Sequence, residues 1–416
     1  SSQRIILRQN RFLSLSCFSR RKQRRTNSAK AHIHVYCGQP SKCQLFSIQP
    51  LPIVVRVTTT GINMSDCATT AEEKKMGDVY GASSTSCYTT EEKKDSYSTL
   101  SKLLQTKCAD TLVRQVILDM MDVCADITDA LRVNLVTVEG SSNVFGDSQL
   151  SVDVISDQLM WEACKKSSVI REGASEEDPI VHNVENADQR GEFTVCWDPL
   201  DGSSIIDNNW AVGTMIGIWP KKTGLIGATG RDQVTSLIAL YGPRTTVLVA
   251  LDDGVYEFTY GASVPATAVT DGGDTTWICT RSNIQIKHNS KIFSPANLRS
   301  AQDLPGYAKL VNHFMTNRYT LRYTGGLVPD VYQQFTKNMG VFCNPTSEKS
   351  PAKLRLAFEA APFGLIVEKA GGLTSDGVTG GSILDVKINA VDQRTALCCG
   401  SMNEVLRFNE FLGLSK

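Results

Sequence analysis

Nowhere in this chain do two cysteines form a Cys-x-x-Cys pair, and none of its five histidines falls in a motif. Zinc-type ligand spacings and a dithiol redox centre are therefore excluded. The thirteen cysteines are scattered, several in apolar runs where a thiol packs as a small hydrophobe, a usage that fits free thiols in a reducing compartment. No apolar run approaches the roughly 20 residues that a membrane helix needs. Acidic residues are missing from positions 1–63, which hold 11 Lys and Arg. The remainder carries 32 basic against 43 acidic residues, and an acidic body argues against general nucleic-acid binding.

Within 416 residues there is length for a large core of two closely packed subdomains. Residues 1–63, with Arg20-Arg21-Lys22-Gln23-Arg24-Arg25, have the composition of an organellar transit peptide or a basic arm. The first methionine is Met64, so the other reading is a leader or incomplete gene model that precedes the true start. Residues 64–107 are polar, with a near-repeat of Thr-Thr, acids and lysines, and read as a flexible arm that turns helical near Tyr97–Leu104.

Leu112, Val116, Met120, Cys124, Ile127 and Leu131 recur at three- and four-residue steps and predict a long amphipathic helix. A second helix is expected from about Gln149 to Lys165, with Asp153 and Asp157 on one face. Strands are predicted at Phe193–Trp197, Val212–Trp219, Thr246–Leu251 and Tyr256–Thr259, then helices at Tyr307–Asn317 and Leu356–Ala370. Alternating helices and strands imply a layered α/β sandwich.

The informative stretch is Asp198-Pro199-Leu200-Asp201-Gly202-Ser203-Ser204. The preceding apolar strand should end as Asp198 appears. Two carboxylates three residues apart gather hard cations, and Gly202 with the serines opens a helix start whose N–H groups suit phosphate. Four more pieces have compatible chemistry: Asp147 with Asp153, Glu176-Glu177, Arg322-Tyr323, and Lys353 through Glu359. Glu359 stands out because an unpaired carboxylate in an apolar helix is costly. Alone, each piece reads as surface or core; jointly they suggest metal-assisted phosphate-ester hydrolysis.

With Phe145-Gly146-Asp147, Tyr241-Gly242-Pro243-Arg244, Phe293-Ser294-Pro295-Ala296-Asn297-Leu298-Arg299, Arg322-Tyr323-Thr324-Gly325-Gly326 and Lys353-Leu354-Arg355-Leu356, the chain resembles the sugar bisphosphatases from about residue 108 to 415. Several of these motifs look closer to the sedoheptulose-1,7-bisphosphatase branch than to the fructose-1,6-bisphosphatase branch. The resemblance implies an α-β-α-β-α sandwich with a metal and phosphate subdomain at 108–270 and a sugar-binding subdomain at 271–416. It implies two or more Mg²⁺ per site, held by Glu176, Asp198, Asp201, Glu359 and the Leu200 carbonyl, with Asp147 as a further ligand. Asp153 and Glu177 would orient and deprotonate the attacking water. Gly202, Ser203 and Ser204, with Arg355, would cradle the 1-phosphate. Asn297, Arg299, Tyr323 and Lys353 would contact the sugar and its distal phosphate, and Arg322 would reach a neighbouring subunit's site in a homodimer or homotetramer.

Two departures bear on regulation. Val136 and Ser141 occupy the positions of the plastid branch's regulatory cysteines, so no thioredoxin switch of that kind is expected. Glu192-Phe193 replaces the Lys-Tyr pair through which animal-type enzymes bind AMP, so inhibition there is not expected either. The implied function is hydrolysis of sedoheptulose 1,7-bisphosphate, with fructose 1,6-bisphosphate as a further substrate, in a cytoplasmic setting, or in a plastid if residues 1–63 are a transit peptide. Rival readings are a gluconeogenic fructose-1,6-bisphosphatase, an inositol-monophosphatase-like hydrolase and an inactive regulatory homologue.

Overall fold

The computed structural model describes residues 97–142, 148–184, 191–265, 268–269 and 272–414. Residues 1–96, on which the readings of a basic leader, a start at Met64 and most of a polar arm fall, lie outside the described residues, as does Asp147.

Helices α1 (Leu100–Lys107), α2 (Thr111–Val133) and α3 (Ser151–Lys166) form the first layer. Asp110 caps α2, accepting from the Leu112 and Val113 N–H groups at 2.7 and 3.4 Å. The predicted seam holds: Val116, Met120, Cys124 and Ile127 are fully buried, while Leu112 at the first turn is exposed. A short ribbon, β1 (Val138–Ser142) and β2 (Ser148–Leu150), joins α2 to α3.

Beneath the helices runs an eight-stranded mixed sheet made of β3 (Ile170–Ser175), β4 (His182–Asn183), β5 (Phe193–Asp201), β6 (Val212–Pro220), β7 (Thr235–Tyr241), β8 (Thr245–Leu251), β9 (Gly254–Tyr260) and β10 (Trp277–Arg281). Its order is β10-β9-β8-β7-β6-β5-β3-β4, with β3 and β5 parallel and the other pairs antiparallel. The meander from β5 to β9 departs from strict helix–strand alternation. Both faces of this sheet are covered, so its strands are buried almost throughout rather than alternating with solvent.

After the tiny α4 (Ser203–Ile206), the chain adds α5 (Pro305–Thr316), α6 (Leu327–Lys337), α7 (Ala361–Lys369) and α8 (Met402–Leu412). The second sheet contains β11 (Ile292–Pro295), β12 (Thr320–Leu321), β13 (Val341–Asn344), β14 (Leu373–Ser375) and β15 (Leu397–Gly400), in the order β12-β11-β13-β15-β14. Strand parity assigns the layers. Trp197 and Ile216 pack toward α2 and α3, whereas Cys196, Met215 and Ile238 pack with Val331, Phe335 and Phe363 of α6 and α7. Phe342 and Cys399 of the second sheet join that middle layer, and Val341, Cys343 and Cys398 face α5 and α8 through Leu310, Phe314 and Phe408. The result is the expected α-β-α-β-α sandwich.

Candidate active site

The same parity aims the carboxylates. Ala174 and Cys196 face the middle layer, so Glu176 and Asp198, two residues on, leave their strands toward it as well. Contrary to the expectation that the strand stops at Asp198, β5 continues to Asp201. It stays paired with β6 through Asp198–Met215 and Asp201–Gly213, and a register shift lies between them. That bulge re-aims Asp201, the usual effect of an extra residue in a ladder. The Asp198 carboxylate accepts from the Leu200 N–H at 3.0 Å, and Thr214 Oγ1 donates to the Pro199 carbonyl at 2.8 Å. Gly202 then turns at φ +100°, a left-handed conformation that side chains other than glycine's resist.

Ser203 opens α4, and its hydroxyl lies 3.0 Å from Asp153 Oδ1 and 3.3 Å from the Leu200 carbonyl. The other Asp153 oxygen accepts the Leu150 N–H at 3.0 Å, fixing that carboxylate to the first turn of α3. Leu327 and Val328, at the N-terminus of α6, donate their N–H groups to the two oxygens of Asp201 at 3.0 and 2.7 Å. These partners escaped the sequence reading because a backbone donor leaves no residue-type signal. Asp330, one turn on, braces the Thr324 and Gly325 N–H groups at 2.7 and 3.0 Å. An acid near the start of a helix was the available clue.

Glu359 comes from a different kind of turn. Residues Leu356–Ala360 form a π-helical turn leading into α7, where one regular helix had been expected. The Ala360 N–H bonds the Arg355 carbonyl at 3.1 Å, five residues back, and the Arg355 N–H donates to the Glu359 carboxylate. Such turns recur at functional sites because they hold a side chain where a regular helix would not. One ligand atom each from Asp198, Asp201 and Glu359 lies within 4.8 Å of the others, and the Arg355 guanidinium pairs with Glu176.

Electrostatics explains what such a cluster requires. Burial pushes Asp198 and Glu359 well above the ordinary carboxylate range, and the nearby Glu176 charge adds to it. Burial raises Asp201 to about 7 against the opposing hydrogen bonds from Val328 and Leu327. Burial raises Asp153 to about 6 despite its bonds to Leu150 and Ser203. Acids gathered in low dielectric resist joint ionisation unless a cation joins them. Hard oxygen donors in this arrangement fit a divalent ion of the Mg²⁺ type.

The remaining sequence candidates are not members of the Asp198, Asp201 and Glu359 group. Glu177 is half-buried and donates its N–H to Ser175 Oγ at 3.2 Å. Arg299, Arg322, Tyr323 and Lys353 are exposed, with Arg299 close enough to Tyr323 for its charge to lower the phenol pKa that burial raises. The Asn297 amide nitrogen donates to the Pro345 and Ser350 carbonyls at 2.8 and 2.9 Å, so that side chain braces a loop.

Residues 91–270 match the family model "Fructose-1-6-bisphosphatase, N-terminal domain", and residues 286–413 match "Fructose-1-6-bisphosphatase, C-terminal domain". The chloroplastic sedoheptulose-1,7-bisphosphatase of Triticum aestivum is 45% identical over 289 residues, 68% of this chain and 70% of that one. The chain belongs to the fructose-1,6-bisphosphatase family. The class 1 fructose-1,6-bisphosphatase of Geobacter sulfurreducens is 36% identical over 306 residues, 73% of this chain and 92% of the relative. A Toxoplasma gondii crystal structure provisionally named sedoheptulose-1,7 bisphosphatase shares 46% identity with a TM-score of 0.68, covering 76% of this chain and 98% of its own. Family members are sugar bisphosphatases, which are phosphoric monoester hydrolases, and relatives from both sugar branches match this chain.

Proposed function

We propose that this sugar bisphosphatase removes the 1-phosphate of sedoheptulose 1,7-bisphosphate in a Mg²⁺-dependent reaction and also accepts fructose 1,6-bisphosphate. The observation that carries the reading is the convergence of Asp198, Asp201 and Glu359 within 4.8 Å beside the Gly202–Ser204 turn. Glu176, Asp198, Asp201, Glu359 and the Leu200 carbonyl hold the cations, with Asp147 as a further ligand. When bound, they neutralise charge on the phosphoryl oxygens and acidify the attacking water. Glu176, paired with Arg355 through Oε1, would have its other oxygen to offer a cation.

The chain's own groups do the rest. The N–H groups of Gly202, Ser203 and Ser204 precede the first bonds of α4, which begin at Ile205, and so face the 1-phosphate. Arg355 presents a planar fork to the same phosphate. Asp153, with its pKa of about 6, is largely ionised at neutral pH and takes the proton of the attacking water, with Glu177 orienting that water. Lys353, Tyr323 and Arg299 hold the sugar and its far phosphate, and Asn297 keeps their loop in place. Arg322 serves a neighbouring subunit in a homodimer or homotetramer. The metal-bearing half spans 108–270 and the sugar-binding half 271–416. A cytoplasmic setting follows from Val136 and Ser141, which leave the thioredoxin switch without its cysteines. A genuine transit peptide in residues 1–63 would instead place the enzyme in a plastid.

Phosphate release from both bisphosphates, measured on the full chain with Mg²⁺ and with or without reductant, tests the reading. Faster release from the seven-carbon substrate, indifferent to reductant, is expected. Faster release from fructose 1,6-bisphosphate would move the function to gluconeogenesis, and no release from either would make the chain an inactive homologue.

A further inference from the structure

One turn past Asp153, helix α3 carries a second acid to which the proposed chemistry gives no task. Asp157 lies on the α2–α3 side of the eight-stranded sheet, the face opposite the carboxylate cluster. Its Oδ1 accepts two hydrogen bonds, from Ser175 Oγ at 2.5 Å and from Trp197 Nε1 at 2.9 Å. These donors are a registered cross-strand pair, Ser175 of β3 standing opposite Trp197 of β5. Each directly precedes a proposed metal ligand, Glu176 in one strand and Asp198 in the other.

Alternation in extended chain makes that placement consequential. A tie applied to Ser175 and Trp197 from one face sets where Glu176 and Asp198 emerge on the other. Both donors are completely buried, so the tie works in a fixed environment. By giving its proton to Asp157, the Ser175 hydroxyl also keeps a lone pair toward the Glu177 N–H, 3.2 Å away. The Glu176 N–H closes the same junction on the Trp197 carbonyl at 2.9 Å.

The indole is seated with equal care. A Cβ added at Gly173 would lie 2.9 Å from the Trp197 ring and 3.0 Å from Trp161, so only glycine admits both rings there. Trp161 meets Trp197 edge-on, with centroids 4.7 Å apart and planes at 74°. Trp197 therefore offers its N–H to Asp157 from a single orientation.

We propose that Asp157 is a positioning residue for the metal centre, tying the carboxyl ends of β3 and β5 so that Glu176 and Asp198 meet one cation. The inference rests on the reading of those two residues as metal ligands. A merely structural buried acid would contribute to folding without changing how the cluster binds a cation.

Mn²⁺ binding to the full chain, measured by titration calorimetry well below the melting temperature, separates the two roles. Asp157→Ala is expected to weaken Mn²⁺ binding about tenfold or more, the size seen when groups orienting metal ligands are removed. Asp157→Asn keeps a carbonyl oxygen for both donors and should restore affinity to within about threefold of wild type. A folded Asp157→Ala chain that binds Mn²⁺ like wild type overturns the inference while leaving the metal reading standing. Should Asp157→Ala fail to fold, Ser175→Ala cuts the tie to β3 alone: weaker Mn²⁺ binding supports the proposal, and unchanged binding overturns it. A wild-type chain that binds no Mn²⁺ removes the metal reading and this inference with it.

Discussion

Asp198 and Glu359 are almost wholly shielded from solvent, whereas Arg299, Arg322, Tyr323 and Lys353 stand in it. The first pair belongs to a cluster in which Asp198, Asp201 and Glu359 each have a backbone N–H partner. Crowding acids in low dielectric costs folding free energy, and the fold bears it through bonds aimed at individual oxygens. The second group has long side chains, Arg322, Tyr323 and Lys353 on loops and Arg299 on a short 3-10 turn, where charge is cheap to expose and reach matters more than fixed position. On the proposed function, chemistry is thus concentrated in the buried interior, and recognition of the far end of the substrate is left to the surface.

The sharpest way to break this contrast is to remove a charge from the interior. Asp201→Asn should lower kcat by about three orders of magnitude, because several kcal/mol of metal-dependent stabilisation are lost. The amide oxygen can still accept one of the two α6 N–H groups, so circular dichroism should show a folded chain; near-normal turnover would take Asp201 out of the metal set. On the surface side, Lys353→Ala should raise KM about tenfold or more, the worth of one charge-assisted contact, with a smaller change in kcat. If kcat fell instead and KM held, Lys353 would belong with the interior group. Arg322→Ala should raise KM by roughly tenfold or less while sedimentation shows the oligomer intact. An unchanged KM would count against a role at a neighbouring site.

A smaller effect sharpens the comparison through pH. Asp153 at about 6 and Asp201 at about 7 hold protons in the folded chain that the unfolded chain releases above about pH 4. Raised carboxyl pKa values contribute stability at low pH that is lost as pH rises through 6 and 7. The gap in Tm between Mg²⁺-saturated and chelated protein should therefore widen from pH 5 to pH 8, by roughly a few degrees. Melting curves showing a constant gap would contradict the assigned shifts.

Much of this was legible in the residues. The 3.6-residue seam of α2 and the Asp-Pro-Leu-Asp-Gly-Ser-Ser stretch both carry local signals, and both were read. β7 was not, because a strand buried on both faces gives no alternation and Thr235-Ser236 blurred its start. α6 was not predicted: Gly325-Gly326 and Pro329 carry turn signals in sequence, although Pro suits the first turn of a helix. Strand β5 ran past Asp198 because its partner β6 continued to supply backbone bonds, information that lies in another part of the chain. The tie from Asp157 to Ser175 and Trp197 was hidden for a related reason: sequence placed Asp153 and Asp157 on one helical face but could not say what faced them.

The π turn at Leu356–Ala360 carries one surplus residue relative to an ordinary helix. Shortening it by one position would let the ladder of bonds run straight into α7, making the local backbone more regular. Side chains inside the turn would be re-spaced, while those of α7 beyond it would keep their faces, because only the surplus residue is removed. Glu359 lies inside the turn, so its side chain is the one the excision would re-aim, away from the Arg355 N–H. On the proposed function, the irregularity holds a metal ligand where a regular helix would not, so selection for a regular backbone alone would tend to erase it.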